Sequence, residues 1–140
     1  MSNNIQIYNT TETKFLPLKK IKTVLGVILE DYKIKDSEIN IIFLSDYDIQ
    51  KINAQFLNHD YTTDVISFNF YEEDLEGEIY ISVDTARLQS QEYKVSLTNE
   101  VLRLSIHGVM HLLGYEDDST DKKEKMHNLE EKYLEIILRK

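Results

Sequence analysis

The sequence contains no cysteine and no tryptophan, and it has one proline and four glycines in 140 residues. The absence of cysteine excludes disulfide bonds and thiolate ligands, so a bound metal ion must be held by nitrogen and oxygen atoms. No apolar run approaches the roughly 20 residues that a membrane-spanning helix needs. The first residues, Met1 to Asn4, lack the charged and apolar regions of a secretory signal peptide. These absences predict a cytoplasmic protein without a membrane partner.

Positive charge is also scarce, because 16 lysine and arginine residues stand against 25 aspartate and glutamate residues, giving a net charge of −9. Nonspecific nucleic-acid binding depends on neutralising phosphates, so this balance argues against broad binding of nucleic acid, and no DNA partner is expected. The evident basic cluster consists of Lys14, Lys19, Lys20 and Lys22. Such a patch is compatible with local RNA binding, although solvated surface lysines are the simpler interpretation.

Strand and helix patterns mix along the chain and predict a single domain over residues 1–140. The predicted order is strand, helix, strand, helix, two strands and three helices. The predicted strands begin near Asn3, Glu38, Val65 and Ile79. The third helix is predicted to open at Asp84, the fourth to be capped by Thr98, and the fifth by Ser119. We therefore expect an α+β fold in which a small mixed sheet of about four strands is covered by about five helices.

Two histidines, His107 and His111, are four positions apart in an apolar stretch that is predicted to be helical. Side chains at this spacing lie on one face of a helix, one turn apart, so two imidazoles can bind one metal ion. Gly114 is typical of a helix end, and a turn there directs the following residues back towards the histidines. Asp117 then offers a carboxylate as third ligand, and Asp118 is an alternative. The simpler interpretation is a buried helix whose histidines only form hydrogen bonds.

The spacing of these residues is that of the metzincin peptidases, H-E-x-x-H-x-x-G-x-x-H, with two changes. Position 2 is Gly108 in place of the glutamate that acts as general base in zinc peptidases. Position 11 is Asp117 in place of histidine, and a carboxylate oxygen also binds zinc. A metallopeptidase-like hydrolase is therefore one hypothesis, but it lacks its proton acceptor.

One face of the histidine-bearing helix carries the polar residues Glu100, Arg103, His107 and His111, whereas the other faces are mostly apolar. A helix that is apolar nearly all round is buried, so its polar stripe should face a cleft or pair internally. Glu100 and Arg103 either form an ion pair within the helix, or Glu100 lies near the metal as a weak candidate for the general base. His127, in the last predicted helix, is expected at the surface.

Three stretches resemble the YbeY family of bacterial rRNA maturation factors. Residues 107–115, HGVMHLLGY, are similar to the family pattern H-G-x-x-H-L-x-G-Y-D-H. Residues 60–68, DYTTDVISF, resemble D-x-P-T-D-V-L-S-F, and residues 77–82, GEIYIS, resemble G-D-I-x-I-S. Their order and spacing match the family from about Ile39 to Lys140.

The resemblance implies a zinc-dependent, single-strand-specific endoribonuclease that acts in maturation of the 3′ end of 16S rRNA and in ribosome quality control. The implied partners are single-stranded RNA, 16S rRNA and the small ribosomal subunit. The implied metal is one zinc ion per chain, bound by His107, His111 and the residue in the place of the third histidine, Asp117. Two further departures are Thr62, where the family usually has proline, and Leu57, where it usually has an arginine implicated in RNA handling.

Three protein ligands leave a fourth zinc position for water, whose pKa zinc lowers towards neutrality. On this interpretation His107 and the zinc-bound water carry out phosphodiester cleavage. A third hypothesis is a non-catalytic ribosome-associated zinc protein in which the metal only braces the fold. Structural zinc sites usually have four protein ligands, so a fourth ligand such as His59 would favour that hypothesis. His59 is otherwise expected to be a surface or hydrogen-bonding residue.

Overall fold

The structure is a computed structural model that describes residues 3–57, 65–71 and 75–139, with the backbone only for residues 56, 57 and 65–71. These ranges contain four strands, β1 (Asn3–Asn9), β2 (Ser37–Leu44), β3 (Val65–Tyr71) and β4 (Leu75–Ser82). The same ranges contain five helices, α1 (Leu18–Asp31), α2 (Asp46–Leu57), α3 (Val83–Glu92), α4 (Leu97–Leu112) and α5 (Thr120–Leu138). Within them, no helix combines the length and apolar composition that crossing a membrane requires. The predicted α+β class is confirmed.

The four strands form one mixed sheet in the order β1-β2-β4-β3. β1, β2 and β4 are parallel, so that Ile41 of β2 pairs with Ile7 on one side and with Ile79 on the other. β3 runs antiparallel to β4 at one edge. Parallel neighbours need a long crossover connection, and α1 provides it between β1 and β2.

One face of the sheet carries most of the apolar core. Ile39, Ile41 and Phe43 of β2 alternate with residues of the opposite face, and they are fully buried together with Ile79 and Ile81 of β4. These side chains join buried residues of α1, α3, α4 and α5 in one cluster. Four of the five helices therefore pack on the same layer of the sheet or against each other.

The opposite face of the sheet is covered by α2. Ile42 of β2 and Tyr80 of β4 point to this face, where they pack with Ile49 and Ile52 of the helix. The alternation of side chains along β2 thus divides the apolar residues between two layers, as a period of two requires. The sheet therefore lies between α2 and α4, which carries the two histidines.

α4 lies at the centre of the helical layer, and ten of its 16 residues are buried. It packs on α1, α3 and α5 as well as on β3 and β4. From Glu100 to Leu112, the residues of α4 that are not buried are Arg103, His107 and His111. Three members of the predicted polar stripe, Arg103, His107 and His111, therefore reach towards solvent, whereas Glu100 is buried.

Two of the three predicted helix starts differ from the structure. α4 begins at Leu97, and its cap is Ser96, whose hydroxyl accepts a hydrogen bond from the Asn99 N–H at 3.0 Å. The prediction of Thr98 was wrong, because the serine two residues earlier already binds the first free N–H groups. α3 is capped in the same way by Ser82, so Asp84 lies inside its first turn. The predicted cap of α5 is confirmed, since the Ser119 hydroxyl accepts from the backbone N–H of Lys122 at 3.2 Å.

Candidate metal centre

The two histidines of α4 point their Nε2 atoms at each other. The rings of His107 and His111 lie one helical turn apart, with centroids separated by 4.5 Å. The two Nε2 atoms are 2.9 Å apart. The side chains are 15% and 28% exposed, so both rings are mostly enclosed by protein but reach the surface.

A turn after α4 brings the third candidate ligand to the histidines. Gly114 has φ of +103°, a conformation that residues with a Cβ atom rarely adopt. The N–H of Tyr115 donates to the carbonyl of Met110 at 3.0 Å and closes the turn. Asp117 is thereby placed with its Oδ2 atom 3.4 Å from Nε2 of His107 and 3.8 Å from Nε2 of His111.

The Nδ1 atom of each ring lies next to a hydrogen-bond acceptor. Nδ1 of His107 lies 2.5 Å from the Glu130 carboxylate, and Nδ1 of His111 lies 2.9 Å from the carbonyl of Tyr115. Neither an ionised carboxylate nor a carbonyl can donate, so both Nδ1 atoms carry the proton. Each ring then turns its Nε2 atom towards the other ring, an arrangement in which two imidazoles can bind one metal ion.

The separations among the three ligand atoms fit a metal ion. Zinc–nitrogen bonds of about 2.0–2.1 Å in tetrahedral geometry place neighbouring ligand atoms about 3.3 Å apart. The observed separations of 2.9, 3.4 and 3.8 Å bracket that value, and the three residues form a group whose ligand atoms all lie within 4.8 Å of one another. His107, His111 and Asp117 can therefore bind one metal ion together.

A buried ion network adjoins the candidate ligands. Nε and one terminal nitrogen of Arg103 donate to the two carboxylate oxygens of Glu100 at 2.9 and 2.5 Å, and its other terminal nitrogen donates to Glu130 at 3.1 Å. Burial opposes ionisation of the Glu130 carboxyl, but His107 and Arg103 outweigh it and lower its pKa. Burial likewise opposes the charge of Arg103, yet the hydrogen bonds and charges of Glu100 and Glu130 raise its pKa. The network therefore holds a charged carboxylate against His107.

The structure separates the other candidate residues from this group. Glu100 is fully buried, and its carboxylate accepts a hydrogen bond from Arg103. This contact is the ion pair within the helix that was one of the two predictions for Glu100. Asp118 is outside the group, and its side chain is 69% exposed and pairs with Lys122, whose hydrogen bond lowers the pKa of Asp118. His127 is exposed, as expected. His59 and Thr62 lie outside the described residues, as does the side chain of Leu57.

Glu130 is the residue of the site that the sequence reasoning missed. It is 3% exposed and lies on the buried face of α5. The same face carries Met126 and Tyr133, four residues before and three residues after it. A charged residue at an apolar position of a helix is the signal that identifies it, because a buried carboxylate needs a partner.

Comparison with known proteins identifies the family. The family model described as endoribonuclease YbeY matches residues 4–137. Endoribonuclease YbeY of Chloroherpeton thalassium is 43% identical over 132 residues, which cover 94% of each chain. The corresponding protein of Chlorobium phaeovibrioides is 38% identical over 135 residues, covering 95% of this chain and 90% of the relative.

A solved structure extends the similarity to the fold. The solution structure of a protein from Thermotoga maritima matches 95% of this chain and 88% of its own, with a TM-score of 0.67 and 29% identity. The match of the family model over most of the chain and the identity of the curated relatives lead to the same assignment. This chain belongs to the YbeY family of endoribonucleases, which are hydrolytic nucleases.

Proposed function

We propose that residues 1–140 form one zinc-dependent domain that cleaves single-stranded RNA, with one zinc ion held by His107, His111 and Asp117. The observation that carries the proposal is the convergence of these three ligand atoms in a chain of an endoribonuclease family. The family supports a cytoplasmic enzyme that acts on 16S rRNA and the small ribosomal subunit, in maturation of the rRNA 3′ end and in ribosome quality control.

The donor set supports zinc. Two imidazole nitrogens and one carboxylate oxygen form a three-ligand set of the type found in catalytic zinc sites, where a fourth position stays open. Zinc bound in this way supplies a Lewis acid that lowers the pKa of a water ligand and offsets the charge of an attacked phosphate. Asp117, with a side chain 41% exposed, lies on the outer side of the group. A substrate strand can therefore approach the ligands from solvent.

The peptidase alternative lacks a general base on α4. Gly108, at the place of the peptidase glutamate, is a buried position of the helix and has no side chain. Glu100 lies two turns earlier, and both of its carboxylate oxygens accept hydrogen bonds from Arg103. Neither position supplies the carboxylate that zinc peptidases use next to their first histidine. These observations favour cleavage of a phosphodiester over cleavage of a peptide bond.

The proposal is tested first by metal content and affinity. The purified protein should carry about one zinc ion per chain, and His111→Ala should lose most of it. Asp117→Ala should weaken zinc binding by more than about tenfold in a chelator competition, and Asp118→Ala by less, because Asp118 pairs with Lys122 at the surface. The reverse order of the two aspartate variants would contradict the ligand assignment.

The same preparations are then assayed for cleavage. Slow, metal-dependent cleavage of single-stranded RNA is expected in the wild type and in His127→Ala, which removes an exposed histidine and serves as matched control. His107→Ala should abolish cleavage, and casein should stay intact in all preparations. Equal RNA cleavage by wild type and His107→Ala would indicate a contaminating nuclease and favour the non-catalytic zinc protein. Cleavage of casein that depends on His107, with RNA left intact, would establish the peptidase.

A further inference from the structure

We propose that Glu130 is a positioning residue for His107, and that Arg103 holds the Glu130 carboxylate in place for this role. This inference rests on the proposed function, because the ring that Glu130 orients is a proposed zinc ligand. Glu130 belongs to α5, and it reaches a histidine of α4 that lies 23 residues earlier in the chain. The orientation of the ligand is therefore set by the packing of two helices.

The carboxylate of Glu130 is fixed from two sides. Its Oε2 atom lies 2.5 Å from Nδ1 of His107, and its Oε1 atom accepts from Arg103 at 3.1 Å. Rotation of the carboxylate would break one of these contacts inside a site where the Glu130 side chain is only 4% exposed. Each oxygen thus has its own partner, and the direction of the acceptor at His107 is constrained.

The acceptor fixes the form of the His107 ring. A carboxylate only accepts hydrogen bonds, so the ring must carry its proton on Nδ1 and present Nε2 to His111 and Asp117. Without the acceptor, the proton can move to Nε2 and the ring can rotate away from the other two ligands. Loss of such a partner of a metal-binding histidine typically costs 10–100-fold in metal affinity.

Arg103 stabilises the negative charge of the buried Glu130 carboxylate. A buried carboxylate needs a charged or hydrogen-bonding partner, and Arg103 supplies one to Glu130 at 3.1 Å. Arg103 is held in turn by Glu100, which accepts from Nε and from one terminal nitrogen and leaves the other terminal nitrogen for Glu130. Glu100 is thus linked to His107 through Arg103 and Glu130, and it orients Arg103.

The test compares Glu130→Gln with Glu131→Gln. Both substitutions remove one negative charge from α5, but Glu131 is exposed and the Glu130 side chain is buried. We expect Glu130→Gln to weaken zinc binding by about 10–100-fold in a chelator competition, and Glu131→Gln by less than about twofold. Far-UV circular dichroism of the metal-free variants checks that both retain the helical fold.

A second measurement needs no metal, and its decisive result comes from the wild type. In the metal-free wild type, proton NMR should show a His107 Nδ1–H signal that exchanges slowly with water because Glu130 binds it. The signal should persist in Glu131→Gln and exchange rapidly in Glu130→Gln. A His107 ring without a protected Nδ1–H in the wild type would overturn the inference even if Glu130→Gln failed to fold.

The outcomes separate this inference from the proposed function. Zinc binding by Glu130→Gln within about twofold of wild type would overturn the positioning role and leave the metal site standing. A wild type that binds no zinc would overturn the proposed function, and the Nδ1–H signal would then decide whether Glu130 orients His107. Weak zinc binding by Glu130→Gln together with a protected Nδ1–H in the wild type supports both.

Discussion

Replacement of Arg103 by methionine removes the cation between two buried carboxylates and keeps an unbranched side chain. The side chains of Glu100 and Glu130 are 1% and 4% exposed, so neither carboxylate can turn to water when the guanidinium is lost. Removing one partner of a buried ion pair costs about 3–5 kcal/mol, because the remaining charge stays buried without compensation. We expect Arg103→Met to lower the free energy of unfolding by about 3–4 kcal/mol at pH 7, at the lower end of this range.

The size of the loss has an upper limit that depends on pH. A carboxylate left without its cation can take up a proton, which at pH 7 costs about 1.36 kcal/mol for each unit above the ordinary glutamate pKa of about 4.3, or about 3.7 kcal/mol. Burial opposes the charge of Glu130, and His107 and Arg103 together lower its pKa, so loss of Arg103 raises the pKa of this carboxyl from its lowered value. The folded variant then binds a proton more readily than wild type, and its stability relative to wild type falls as the pH rises through that pKa. The difference in the free energy of unfolding between Arg103→Met and wild type should therefore be small at pH 5 and reach its expected size at pH 7.

Urea unfolding followed by circular dichroism, with a chelator present, measures this difference at pH 5, 6 and 7. With a slope of about 2 kcal/mol per molar urea, a loss of about 4 kcal/mol moves the midpoint by about 2 M. Arg139→Met is the matched control, since Arg139 and Glu135 form a pair whose side chains are 77% and 60% exposed, and its loss should stay under about 1 kcal/mol. A loss under about 1.5 kcal/mol at pH 7, or an equal loss at pH 5 and pH 7, would refute the reasoning.

Two further substitutions test the turn and the packing of the last helix. In Gly114→Ala the added Cβ meets no atom within 4 Å, so the cost comes from the backbone φ of +103° alone. We expect the free energy of unfolding to fall by about 1–2 kcal/mol. Zinc binding should also weaken, because Asp117 shifts. Urea unfolding and chelator competition measure the two effects, and wild-type values in both would contradict the role of the turn. Tyr133→Phe removes the hydroxyl that donates to Asp31 at 2.8 Å, and about 1–2 kcal/mol should be lost in urea unfolding. No measurable loss would mean that water replaces the hydroxyl at Asp31.

Much of the fold and of the candidate ligand set could be predicted from local patterns. Alternation along β2 and the stripe of α1 depend on neighbouring residues alone, which is why the fold class follows from them. The positions of His107 and His111 follow from one helical turn, and Gly114 marks the turn that brings Asp117 back. These features require no knowledge of which elements meet in space.

The remaining features depend on contacts between elements. Glu130 acquires its role because α5 packs on α4, and the sequence alone does not say which helix faces the histidines. Ser96 and Thr98 both carry a hydroxyl near the start of α4, and Leu97, which lies between them, packs against the core as the first residue of the helix. The prediction of Thr98 lacked that information. A charged residue at an apolar position of a helix, such as Glu130, can be recognised from the sequence, but the residue that pairs with it cannot.

The three candidate ligands all come from one short stretch, residues 107–117. An ion that joins them closes only a short loop, so an unfolded chain can also bind the ion at modest entropic cost. Binding to the unfolded chain subtracts from the stabilisation that a ligand gives to the folded one. A zinc ion should therefore raise the melting temperature of this protein by less than its affinity for the folded site implies. A zinc ion bound by these three residues would link only neighbouring parts of the chain and would not join distant elements of the fold.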